Sequence, residues 1–185
     1  MRTAPVRTAR PSRLKAALRW LPTFVGFPLG GLAAEFLVGP VDGLGPAIAG
    51  GAVTGAVLGV IQWLGLRRAR LSPERWLLAT AAGLAVGLGV GAAAVGYGTS
   101  MGALAVQGAI SGAAVGLAQA TVLHRRLGRL VWVWPVVVAA AWALGWTITT
   151  AAGIDVESQY TVFGSSGAIA VTAITSVLAV ALAER

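Results

Sequence analysis

Apolar runs recur along the chain at about 17–38, 44–66, 76–97, 101–123, 130–152 and 160–182. A run of about 22 residues is about 33 Å long as an α-helix, enough to cross the hydrocarbon core of a bilayer with some tilt. Strands of a membrane β-barrel would be about half as long and would alternate in polarity, and these runs do neither. The pattern predicts an all-α integral membrane bundle of six transmembrane helices, covering 16–185 behind a basic tail at 1–15.

Charge then orients the bundle. Arg2, Arg7, Arg10, Arg13, Lys15 and Arg19 precede or open the first run. Arg67, Arg68, Arg70 and Arg75 lie between the second and third, Arg125, Arg126 and Arg129 between the fourth and fifth, and Arg185 after the sixth. Every Lys and Arg thus falls on one side, and the opposite loops carry only acids, Asp42, Asp155 and Glu157. Short loops rich in Lys and Arg stay in the cytoplasm, so both ends are expected there. A basic start before an apolar run also fits a cleaved signal peptide. The first run is too long for one, carries Pro22 and Pro28, and belongs to a repeat.

That repeat is visible in the even runs. Residues 51–62 read GAVTGAVLGVIQ and residues 108–119 read GAISGAAVGLAQ, a gapless match at an offset of 57. The odd runs keep step, because Trp20, Trp76 and Trp134 each stand eleven residues before a glycine, Gly31, Gly87 and Gly145. A weaker copy begins at Gly164 and has no glutamine. The expectation is three tandem two-helix hairpins near 16–68, 72–126 and 130–185, parallel copies about an axis along the membrane normal.

Three glycine rows give the helices a packing face: Gly51, Gly55 and Gly59; Gly83, Gly87 and Gly91; Gly108, Gly112 and Gly116. Positions four apart share a helical face. Lipid is as apolar as leucine, so helices in it associate by close contact at small residues. Trp20, Trp76 and Trp134 begin the odd runs beside the basic loops, where indole serves as an interface anchor. His124 takes the slot of Arg67 at a helix C-terminus, where the helix dipole favours a cation.

Three polar side chains within the runs form the candidate intramembrane site. Glu35 is the one ionisable group inside a run, near its outer end. It reads either as a carboxylate reaching the outer head groups or, with Pro28 and Gly31 on its face, as a proton, cation or substrate site. Gln62 and Gln119 hold equivalent places one turn before the basic loops. An amide there bonds across a helix seam, worth about 0.6 kcal/mol on average, or lines a pocket open to the cytoplasm.

Composition narrows the chemistry. With 57% hydrophobic and 11% charged residues and a mean hydropathy of +0.80, the chain has too little polar surface to coat a soluble fold of its size. It has no cysteine and one histidine, which leaves no thiolate or multi-histidine metal site. Neither a nucleophile–base pair nor a phosphate loop is present, so no enzyme, cofactor or metal is expected. The net charge of +8 sits in topology signals, which argues against nucleic acid as a partner. The expected partners are the bilayer and its anionic head groups, with a protein partner or a further copy left open. Abundant Arg, Ala and Gly with a single Lys are associated with high-GC bacterial genomes, which places the chain in a bacterial cytoplasmic membrane.

The stretch Gln62-Trp63-Leu64-Gly65-Leu66-Arg67-Arg68, following its glycine row, resembles a repeat of uncharacterised multi-pass bacterial membrane proteins of the "QWLxLRR" kind. The resemblance covers two of the three hairpins and implies no activity. Two functions are compatible with these features. The first is a structural, interaction or accessory membrane protein packed through glycine seams. The alternative is a small transporter or channel with Glu35, Gln62 and Gln119 along its path. A reporter fused after Arg185 is expected to be active on the cytoplasmic side, and activity only outside the cell would overturn the orientation.

Overall fold

A computed structural model of the chain describes residues 13–154, 156 and 159–184. The basic residues before Arg13, together with Asp155, Glu157 and Arg185, lie outside them. The described residues are all helix, turn and loop, with no strand among them. The α-helices are α1 (Arg13–Trp20), α2 (Gly26–Leu37), α3 (Leu44–Leu66), α4 (Pro73–Ala94), α5 (Met101–Leu127), α6 (Val133–Ala151) and α7 (Ser165–Ala183). Short 3-10 helices at Leu21–Val25, Arg67–Ala69 and Gly128–Trp132 join some of them.

Where six separate apolar runs are expected, five continuous helical runs are long and apolar enough to cross a membrane. The difference lies at 101–151, which is helical without a gap. It is not one rod, however. Gly128 takes a positive φ of 57° at the end of α5, and α6 folds back along α5. Other boundaries differ for local reasons. Helix begins at Arg13, within the expected basic tail. The first run changes to 3-10 geometry at Leu21–Val25, beginning beside Pro22. Pro28, the expected bend, sits in the first turn of α2, where a missing N–H is tolerated. The last run starts its helix only at Ser165.

Starts and stops follow the residues. Ser72 caps α4 by accepting the N–H of Arg75 at 3.3 Å, and Pro73 occupies the first turn. Ser100 caps α5 through the N–H of Ala103 at 3.2 Å. Both are favoured N-terminal chemistries.

Each rod packs on its neighbours in sequence, and the first packs on the last, so the rods close into a ring. The seams are antiparallel. Gly51, Gly55 and Gly59 lie against Leu84–Ala85, Thr80–Ala81 and Leu77. Gly83, Gly87 and Gly91 lie against Val115, Ser111 and Gln107, while Gly108, Gly112 and Gly116 lie against Trp142, Val138–Ala139 and Pro135. Each row thus faces the next rod along the chain. The ring closes where the Trp20 indole N–H donates to Thr175 Oγ1 at 3.0 Å and Arg13 pairs with Glu184.

Contacts at these seams are too close for a methyl group. A Cβ at Gly116 would lie 2.5 Å from Pro135 Cα, and one at Gly167 would clash with the Gly145 carbonyl oxygen. Gly116→Ala and Gly167→Ala are each expected to lose about 1–3 kcal/mol by overpacking. Gly102→Ala, in open space, should leave stability unchanged or slightly higher; thermal unfolding of the purified protein in detergent compares the three.

Candidate functional site: a buried polar cluster at the basic end

Antiparallel packing brings one end of every rod to the side that carries Arg19, Arg67, Arg68, Arg75, Arg125, Arg126 and Arg129. Just inside that end, side chains from α3, α4, α5 and α6 meet. Gln119 is at the centre and 1% exposed. Its Nε2 donates to Gln62 Oε1 at 3.2 Å and to Thr80 Oγ1 at 3.0 Å. Its Oε1 accepts the indole N–H of Trp134 at 2.9 Å. Thr80 Oγ1 donates in turn to the Trp76 carbonyl at 2.9 Å. Because α3 and α5 are not neighbours in the ring, the Gln62–Gln119 bond crosses its interior.

The local sequence explains this arrangement. Gln62 and Gln119 follow Gly59 and Gly116 by three residues, so each lies on the face that its glycines press against the next rod. Glycine lets the backbones approach, and the amide at the end of the row then reaches past the seam. Two of the three residues of the expected site are therefore together. The third is apart: Glu35 is exposed near the end of α2, beside Phe36. Gly31, on its face, instead meets Val162.

The tryptophans correct a sequence expectation. Trp20, Trp76 and Trp134 are 1%, 0% and 6% exposed, so they are not anchors at the lipid boundary. The indole N–H groups of Trp20 and Trp134 bond to Thr175 and Gln119 inside the bundle. An N–H carried at the wet end of a span can be satisfied by protein as well as by head groups, and these two are. Trp132, at 67% exposure, has the surface place expected of an anchor. His124 is exposed in the last turn of α5 with Arg125 and Arg126, and its Nδ1 lies 2.7 Å from the Thr121 carbonyl.

Toward the opposite end the interior holds an aromatic cluster beside buried polar side chains, Gln107, Ser111 and Thr149 among them. Phe163 lies 5.0 Å from Phe27, 5.5 Å from Trp142 and 6.0 Å from Trp146 between ring centroids. It is carried there by the segment leading into α7, in which Gln159, Thr161, Val162 and Phe163 are all buried. That segment bonds on three sides. Gln159 Nε2 donates to the Gly98 carbonyl at 2.8 Å, Val41 N–H donates to the Gln159 carbonyl at 3.4 Å, and Thr54 Oγ1 lies 2.8 Å from Thr161 Oγ1. Thr54 also donates to the Gly30 carbonyl at 3.1 Å. Irregular backbone inside a membrane bundle is tolerated where protein buries it.

Sequence reasoning missed Thr80, Trp134 and Thr175 as polar partners. A signal for Thr175 is present: the eleventh residue after Gly51 is Gln62, after Gly108 it is Gln119, and after Gly164 it is Thr175. Trp134 gives one too, since it follows Gln119 by fifteen residues as Trp76 follows Gln62 by fourteen. Trp76 itself has no acceptor for its buried N–H among the described residues. Comparison with protein-family models, with curated proteins and with solved structures brings no match.

The cluster makes a stability prediction. Gln119→Leu leaves the Trp134 N–H and the Gln62 carbonyl buried without each other's bridge, and is expected to cost about 1–3 kcal/mol. In a double-mutant cycle with Trp134→Phe, the two changes should couple by about 0.6–1.7 kcal/mol, read from unfolding in detergent; strict additivity would mean that the bond contributes nothing.

Proposed function

We propose that this chain is a bacterial cytoplasmic-membrane protein that crosses the bilayer six times. It acts as a structural, interaction or accessory component through its packed rods and lateral surface. The observation that carries this reading is the use of Gln119. Its amide is spent on three other rods, across the interior where a solute path would have to run.

The fold-back at Gly128 supports six crossings, since antiparallel α5 and α6 each have the length to span. Both described ends lie on the arginine-rich side, which supports a cytoplasmic placement for each. The shared eleven-residue frame from Gly51, Gly108 and Gly164, with Trp20–Thr175 joining the ends as Trp134–Gln119 joins α5 to α6, supports three copies of one hairpin. The "QWLxLRR" likeness fits the same reading and adds no chemistry to it.

A transporter or channel needs Glu35, Gln62 and Gln119 on one path. Glu35 is exposed on α2, whereas the two glutamines are buried and bonded to each other. Proteoliposomes containing the purified protein are expected to leak protons, potassium and glycerol no faster than empty vesicles. Wild-type flux above the empty control that Gln119→Leu or Glu35→Gln abolishes would replace this reading with the transport one.

A further inference from the structure

We propose that a groove between α1 and the basic end of α3 is a binding site for one anionic phospholipid, on the proposed reading that this end meets the cytoplasmic head groups. The groove holds about 450 Å³. Its mouth carries the guanidinium groups of Arg19, Arg67 and Arg68, from two different rods. Among the described residues none of the three is paired with a carboxylate. Its walls include Leu18, Ile61 and Leu64, of which Leu18 and Leu64 are exposed on the flank of the bundle.

Two sequence features make the groove. Pro22 sits at the start of the 3-10 segment that joins α1 to α2. Gly65 then lets that segment come in close, because a Cβ there would lie 2.8 Å from Thr23 Cγ2. The result is apolar below and cationic above. That order matches a lipid, whose acyl chain lies along the flank while its phosphodiester meets the arginines. Guanidinium suits this role through paired N–H donors to phosphate oxygens. A larger groove of about 580 Å³ between α5 and the 3-10 segment Gly128–Trp132 is lined instead by His124, Arg129 and Trp132. With one arginine it makes a weaker phosphate site and serves as an internal comparison.

The test is native mass spectrometry of the full chain in detergent, titrated with dioleoylphosphatidylglycerol or dioleoylphosphatidylcholine. Wild type should retain one phosphatidylglycerol about tenfold more tightly than phosphatidylcholine. Arg67→Gln with Arg68→Gln, both at exposed positions, should abolish that preference. Arg125→Gln with Arg126→Gln removes the same charge outside the groove and should keep it. Equal loss in both pairs would overturn the site in favour of diffuse attraction. Retention of phosphatidylcholine as strong as phosphatidylglycerol would overturn it as well, and displacement of the lipid by millimolar inorganic phosphate would assign the arginines to the free anion. A reporter at Arg185 active outside the cell would instead overturn the orientation, whatever the lipid result.

Discussion

Close approach of helix backbones is the constraint on which the rest depends. In water, a helix can be driven onto its neighbour by any apolar stripe. In lipid that drive is missing, and only contact itself favours association. The chain meets this with a row of glycines on one face of successive rods, each turned to the rod that follows. Bulk is thereby one-sided. The backbones of Leu84 and Trp142 in the next rod occupy the space that side chains at Gly51 and Gly108 would need. Because each rod offers a thin face forward, the ring closes with few gaps, and its interior is left for a limited set of large side chains.

What occupies that interior follows from polarity and depth. At the arginine-rich end an amide, a hydroxyl and an indole N–H satisfy one another around Gln119. Farther in, Trp142 and Trp146 meet Phe163 edge to face and Phe27 lies tilted against it. Gln62, Gln119 and Trp134 come from helices, toward their arginine-rich ends, whereas Phe163 is brought inward by the segment before α7. Both layers hold together rods that are not neighbours, which an open or splayed ring would not allow.

Much of the fold is legible in the amino-acid pattern, and the exceptions have physical reasons. Helical spacing exposes the glycine rows and places Gln62 and Gln119 on them, because periodicity and packing share one geometry. Hydropathy marks the rods, but it cannot tell a lipid-facing indole from a buried one, since both are apolar rings with a single N–H. Trp20 and Trp134 differ from the surface residue Trp132 only in what stands opposite them. Hydropathy also reads 160–164 as part of a span, because Val162 and Phe163 are apolar whether helical or not. Only the packing shows them entering the bundle as loop. Glu35 is the converse case: its charge drew attention, and its place on the outside of α2 removes it from the cluster.

Closure of the ring has a topological consequence. Arg13 and Glu184 stand side by side, and the first and last rods pack on each other beside the Trp20–Thr175 bond. The packing therefore does not depend on which rod the ribosome makes first. A chain joined from Glu184 to Arg13 by a short linker and opened between Arg68 and Arg70 would keep every seam, the Gln119 cluster and the same face for both new ends. Such a circular permutant would separate what the fold needs from what the order of synthesis supplies.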